Sequence, residues 1–191
     1  MIREAIIAAQ VRGRKTLDIG SLGQTDEYRL WDLLAENAGS LTGIDLDDET
    51  LGALAQGNAL PAAPTDSDAR IVRGDMESHE FGETFEAIVA GDVIEHASNP
   101  GLFLDNCRRH LAPGGRLVIT TPNAKWPTVF LRPNPSHTLW HDRHTLCHLL
   151  DRHGFEVEQL RYYPGNKPHY PLPLRLLALR QGLLVVAKPS S

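Results

Sequence analysis

The sequence is poor in the features that announce a specialised class. Cysteine occurs only at Cys107 and Cys147. Two so widely spaced make neither a disulfide framework nor a zinc set, so a reducing, cytoplasmic setting is expected. Basic residues number 19 against 24 acidic, for a net charge of −5, and no basic stripe marks a nucleic-acid partner. No run reaches the ~18 uninterrupted apolar residues of a membrane span. The nearest, 172–187, is broken by Arg175, Arg180 and Gln181. The apolar patch at 6–9 comes before its basic residues Arg12, Arg14 and Lys15, the reverse of a secretory signal. What remains is ordinary globular material, 41% hydrophobic and 23% charged. That excludes a wholly disordered chain, and 1–191 reads as one α/β domain able to bury its own core.

Strand and helix patterns alternate along the chain. Residues 3–12 read as a helix, 15–20 as a buried strand, 26–37 as a helix and 41–45 as a strand. A helix over 47–56, a loop over 57–68 and strands at 69–73 and 84–90 follow. Asn99 is placed to cap a helix that begins at Pro100 and runs to Leu111, with Pro113, Gly114 and Gly115 as its stop. A strand at 116–121 leads into the proline-rich stretch 122–142. Asp142 then caps a helix over 143–153 that ends at Gly154, and strands follow at 155–162 and 183–187. Such alternation predicts a doubly wound, mostly parallel sheet with helices on both faces. Ligands of such sheets bind at the carboxyl ends of the strands, where strand order reverses.

The residues at those ends are glycines and carboxylates. Strand one runs into Asp18, Gly20, Ser21, Leu22 and Gly23. Strand two ends at Asp45, strand three at Gly74-Asp75-Met76, and strand four at Gly91-Asp92-Val93 followed by Glu95 and His96. Asp45 can accept hydrogen bonds from both hydroxyls of a ribose. Asp75 can accept from an exocyclic amine, and Met76 can pack on a purine face. A diphosphate is disfavoured, because Leu22 stands where close backbone approach needs glycine and no basic residue accompanies the turn. The ligand predicted is a nucleoside without phosphates.

These blocks resemble the class I S-adenosylmethionine-dependent methyltransferases, within the group of small-molecule methyltransferases like those of ubiquinone biosynthesis. The resembling stretches are 17–23, 42–46, 73–76 and the long run 85–123, the most specific of them. The resemblance implies a Rossmann-like sheet of seven strands with the last antiparallel. It implies S-adenosyl-L-methionine as cofactor, with Gly20 and its turn (Asp18, Ser21, Gly23) along the methionine and Asp45 on the ribose. Leu46, Asp75 and Met76 would lie at the adenine, and Gly91, Asp92 and Val93 near the sulfonium. In the ubiquinone O-methyltransferases the positions matching Asp92, Glu95 and His96 can bind a divalent cation; no metal is assigned here. The sequence departs from the family's Asp-x-Gly-x-Gly-x-Gly at Leu22 and Gln24.

The expected reaction is methyl transfer to oxygen of a small molecule or of a glycan or natural-product intermediate. The alternative, resting on Leu22 and Gln24, is a catalytically silent binding or scaffold module. A hydroxyl acceptor gains from a base, and histidine suits neutral pH. His96 is the first candidate, with Asp92 beside it and His141 in the loop above. His137 belongs to the same loop and His148 to the helix after it. Aromatic residues of the two proline-rich stretches, Trp126 and Trp140 among them, pack those loops. The apolar residues of 172–179 read as core or as the face of a homodimer.

Overall fold

The computed structural model describes residues 2–21, 30–46, 69–127, 129, 134–164 and 181–190. Seven strands form one sheet: β1 (Lys15–Ile19), β2 (Ser40–Asp45), β3 (Ala69–Arg73), β4 (Phe85–Gly91), β5 (Leu111–Pro122), β6 (Phe155–Tyr163) and β7 (Gly182–Pro189). Their order is β3-β2-β1-β4-β5-β7-β6. Pairs from β3 through β5 are parallel, while β7 runs antiparallel to both β5 and β6. This is the expected Rossmann-like sheet with its last strand antiparallel.

The helices among the described residues are α1 (Ile2–Val11), α2 (Leu30–Asn37), α3 (Pro100–His110) and α4 (Arg143–Arg152). Two cores lie on opposite faces of the sheet. Ile7 and Val11 of α1 and Trp31 and Leu34 of α2 pack with Val89, Val118 and Val186 on one face. Leu104 and Cys107 of α3 and Leu146 and Leu150 of α4 pack with Ile88, Ile119 and Val185 on the other. Neighbouring residues of β4, β5 and β7 thus feed alternate cores, which is why those strands read as unbroken apolar runs.

Local signals set most helix ends. Asn99 Oδ1 accepts from the Gly101 and Leu102 amides at 3.0 and 3.1 Å. Asp142 and Thr145 form a reciprocal capping box, and Gly154 turns the chain out of α4 with φ +72. Pro113, Gly114 and Gly115 do not stop α3, contrary to expectation. The helix ends at His110, and Leu111 already pairs with Phe85 as the start of β5, whose register then shifts between Phe85 and Ala87. The proline and glycines sit in that irregular stretch, where missing ladder bonds are tolerated. The strand expected at 155–162 runs one residue further, to Tyr163. The expected helix 47–56, the loop 57–68, the first residues of helix 26–37 and the apolar stretch 172–179 lie outside the described residues.

β1 carries a fully buried carboxyl at Asp18. Burial drives it up to about 8, the nearby charge of Asp45 adds to the shift, and Ser21 opposes it.

Two predictions follow from these cores. Leu104 is fully buried, and Leu104→Ala should cost about 2–5 kcal/mol in urea unfolding. Asp18 ionises near 3.8 in the unfolded chain and near 8 in the fold. The fold therefore keeps a proton that the unfolded chain releases, so Asp18's contribution is whole below the lower value and is lost as pH rises toward the upper. Urea midpoints measured across that window should fall less steeply for Asp18→Asn.

Candidate functional site

Strand order reverses between β1 and β4, and the chain leaves these two strands in opposite directions across the sheet. The gap at their carboxyl ends is a pocket of about 160 Å³. Gly20 forms its floor with φ +77, and a Cβ there would come within 2.6 Å of Val93 Cγ2. Glycine is required on both counts. Asp45 and Leu46 form one wall at the end of β2, and Asp75 and Met76 the next at the end of β3. The Asp75 carboxylate accepts from the Glu77 amide at 2.8 Å, which fixes the turn. Val93 and His96 close the side after β4. Seven of the expected site residues thus meet in one pocket: Gly20, Asp45, Leu46, Asp75, Met76, Val93 and His96.

Lining residues that were not expected include Glu77, Ala97 and Phe103. Glu77 Oε1 accepts from the Asn99 amide at 2.8 Å and joins the β3 turn to the start of α3. Phe103 reaches the pocket from the buried face of α3, a position that helix periodicity marks only as core.

Other expected residues do not line the pocket. Ser21 donates to the Asp18 carbonyl at 3.0 Å, and the Asp18 carboxyl lies within the sheet. Gly91 packs against Leu30. Asp92 has φ 56, a left-handed conformation that aspartate tolerates better than most residues. Its carboxylate is held on the α1 side of the sheet. Arg3 Nη2 donates to Oδ2 at 2.8 Å, the Tyr163 hydroxyl donates to Oδ1 at 3.0 Å, and the same Arg3 nitrogen donates to Thr120 Oγ1. Asp92 therefore does not join Glu95 and His96 as a third ligand, and the cation set implied by the resemblance is not assembled. Gly23 lies outside the described residues.

His141 lies at the end of β5, bridged to Asn123, and is buried, with neither ring nitrogen hydrogen-bonded among the described residues. Burial lowers its basicity, which favours the neutral ring. It is not a wall of the pocket. Trp126 is buried, whereas Trp140 is 46% exposed.

The turn after β4 gathers a second set of groups. Glu95 is buried, and Thr121 Oγ1 donates to its Oε2 at 2.9 Å. Burial, then the charge of Asp92, lift its carboxyl to about 8, so it is neutral at pH 7. The segment 134–141 is tied down over this turn. The Glu95 carbonyl accepts from the Thr138 amide at 2.9 Å, from the Leu139 amide at 3.2 Å and from Thr138 Oγ1 at 3.1 Å. His137 is thereby brought beside Glu95 and His96. One side-chain heteroatom from each of the three lies within 4.8 Å of the other two.

A protein-family model described as "Methyltransferase domain" matches residues 3–160. The ubiquinone biosynthesis O-methyltransferase of Paracidovorax citrulli is 31% identical over 115 residues, covering 60% of this chain and 46% of the relative. The mitochondrial ubiquinone biosynthesis O-methyltransferase of Homo sapiens is 35% identical over 112 residues, covering 58% of this chain and 29% of that protein. The chain thus spans less than half the length of these relatives. Among solved structures, the N-methyltransferase NodS of Bradyrhizobium japonicum superposes with a TM-score of 0.69 at 17% identity, covering 100% of this chain and 94% of that one. The glycopeptide N-methyltransferase MtfA, solved in complex with S-adenosyl-L-methionine, gives 0.73 at 15% identity, with coverage of 100% and 87%. No described helix is long and apolar enough to cross a membrane. The chain belongs to the methyltransferase-domain family and has the class I S-adenosylmethionine-dependent methyltransferase fold.

Proposed function

We propose that this chain transfers a methyl group from S-adenosyl-L-methionine to an oxygen of a small molecule or of a glycan or natural-product intermediate. One observation carries the reading: Gly20, Asp45, Asp75, Met76 and His96, from four different strand ends, line a single pocket at the reversal of strand order. The pocket suits a nucleoside. Asp45 offers a carboxylate for ribose hydroxyls, and Met76 and Phe103 offer apolar surface for a purine. Exposed Leu46 can cover the base. Among the described residues, no lysine or arginine lines the pocket. The names of the relatives support oxygen as the acceptor atom, while those of the structural neighbours speak of nitrogen.

The cofactor supplies a methyl carbon already activated by a sulfonium, so the protein's main task is alignment. Gly20 and Val93 shape the floor and side on which the cofactor lies. His96 stands where the pocket opens and can take a proton from an acceptor hydroxyl. The buried Glu95 beneath it is neutral and adds no negative charge to the wall at pH 7. Asp18, Ser21, Gly91 and Asp92 support the strand ends from behind.

Calorimetric titration of the purified chain with S-adenosyl-L-methionine and S-adenosylhomocysteine tests the cofactor site. Both ligands should bind. Asp45→Ala should weaken binding about tenfold or more, as expected for loss of hydrogen bonds to a charged group, each worth about 1.5–3 kcal/mol. A folded protein that binds neither ligand would instead be a silent scaffold. In a radiolabelled-methyl screen of phenols and sugars, His96→Gln should slow transfer by about 10²–10⁴-fold.

A further inference from the structure

Helix α1 carries a charged residue on the face it buries. Arg3, Ile7 and Val11 follow one another four residues apart, and Ile7 and Val11 are fully buried against the sheet. The Arg3 side chain is itself only 13% exposed. An arginine so placed is held by its partners. Its Nη2 donates to Asp92 Oδ2 and to Thr120 Oγ1, each at 2.8 Å, and its guanidinium carbon lies 4.8 Å from the centre of the Tyr163 ring. The Tyr163 hydroxyl donates to the other carboxylate oxygen of Asp92. Asp92 is thus gripped from α1 and from β6. Among the described residues it is also the one non-glycine with a positive φ, at 56. On its amino side the chain is fixed, because the Asp92 amide donates to the Thr120 carbonyl at 2.9 Å. On its carboxyl side come Val93, whose Cγ2 packs so close to Gly20 that no Cβ fits there, and the single turn Ile94–His96. The backbone angles of Asp92 therefore decide where Val93 and His96 stand.

We propose that Arg3 and Tyr163 are positioning residues for the pocket: by holding the Asp92 carboxylate from two sides they keep Asp92 left-handed, and so hold Val93 against Gly20 and His96 at the pocket wall. The identity of the ligand, though not the grip, rests on the methyltransferase reading above. Neither Arg3 nor Tyr163 lines the pocket, so both act through the backbone of Asp92. A residue with a Cβ is disfavoured in the left-handed region, aspartate less than most. The charge-assisted bond from Arg3 and the bond from the Tyr163 hydroxyl offset that cost. Without them Asp92 relaxes toward a negative φ, Val93 leaves Gly20, and the side of the pocket parts from its floor. In this arrangement the carboxylate has no task at the ligand; the backbone angle it secures has one. Glycine at position 92 takes the same angle without a Cβ penalty and needs no grip. Alanine there loses the grip and keeps the penalty.

The test compares Asp92→Ala with Asp92→Gly in the full chain, beside Arg3→Met and Tyr163→Phe. In NMR spectra without ligand, a cross-peak between a Val93 methyl and the Gly20 α-protons reports the side of the pocket against its floor, and Val93→Ala assigns it. The cross-peak should be present in the unaltered chain, weaken in Tyr163→Phe, disappear in Arg3→Met and Asp92→Ala, and persist in Asp92→Gly. Amide spectra establish that each variant is folded. Calorimetric titration of the same samples with S-adenosylhomocysteine should follow the cross-peak. Arg3→Met and Asp92→Ala should each weaken binding about tenfold, the usual cost of a left-handed residue with a Cβ, and Asp92→Gly should recover most of the loss seen in Asp92→Ala. A folded Arg3→Met that keeps the cross-peak would overturn the proposal. So would an Asp92→Gly no better than Asp92→Ala in the cross-peak or, where the unaltered chain binds, in affinity. Should Arg3→Met not fold, Tyr163→Phe and the glycine–alanine pair decide the matter. A chain that binds no cofactor yet shows the expected cross-peaks would refute the methyltransferase reading and leave the grip on Asp92 standing.

Discussion

The whole site depends on one topological constraint, the reversal of strand order between β1 and β4. Parallel strands deliver all their carboxyl ends to one edge, and the chain departs from these two strands toward opposite sides. A gap must open there, and whatever follows β1, β2, β3 and β4 must border it. Gly20, Asp45 and Asp75 stand at those ends. Gly20 has no room for a side chain against Val93, and the carboxylates of Asp45 and Asp75 sit where hydrogen-bond donors of a ligand would enter. The two cores hold the edge steady by clamping the sheet between α1 and α2 on one face and α3 and α4 on the other.

A second network supports the same edge from behind. Arg3, Asp92, Thr120 and Tyr163 link α1, the β4 turn, β5 and β6 in one partly buried set of bonds. Asp92 accepts from two donors. Glu95, three residues on, has been moved into the core and holds its proton. Two carboxyl groups on one short turn thus meet different surroundings, the one among charged and phenolic donors, the other cut off from water, which raises its pKa.

The parts of this arrangement that are local in sequence were legible in it. Alternation gave the strands, Asn99 and Asp142 marked their helices, and the residue after each strand identified most of the pocket. What could not be read depends on distant partners. Asp92 looks like a pocket carboxylate until Arg3, 89 residues away, and Tyr163, 71 residues away, are seen to hold it elsewhere. His137 looks like an ordinary loop histidine until Thr138 is seen bonded to Glu95, 43 residues away. Phe103 carries only the signature of a core residue. At Pro113–Gly115 local preference was outweighed by pairing of Leu111 with Phe85, and no pattern within α3 could have announced that.

The anchoring of segment 134–141 has a consequence for how the protein can change over generations. Two of the three hydrogen bonds on the Glu95 carbonyl come from main-chain amides, which every residue except proline supplies. Apart from Thr138, whose hydroxyl also bonds the Glu95 and Ala97 carbonyls, the path of the segment depends little on its side chains. Outward-facing positions such as Ser136 and Trp140 can be exchanged without disturbing the turn beneath them or the pocket beyond it. A border held in this way lets a lineage alter what it meets at its surface while the machinery under that surface stays the same.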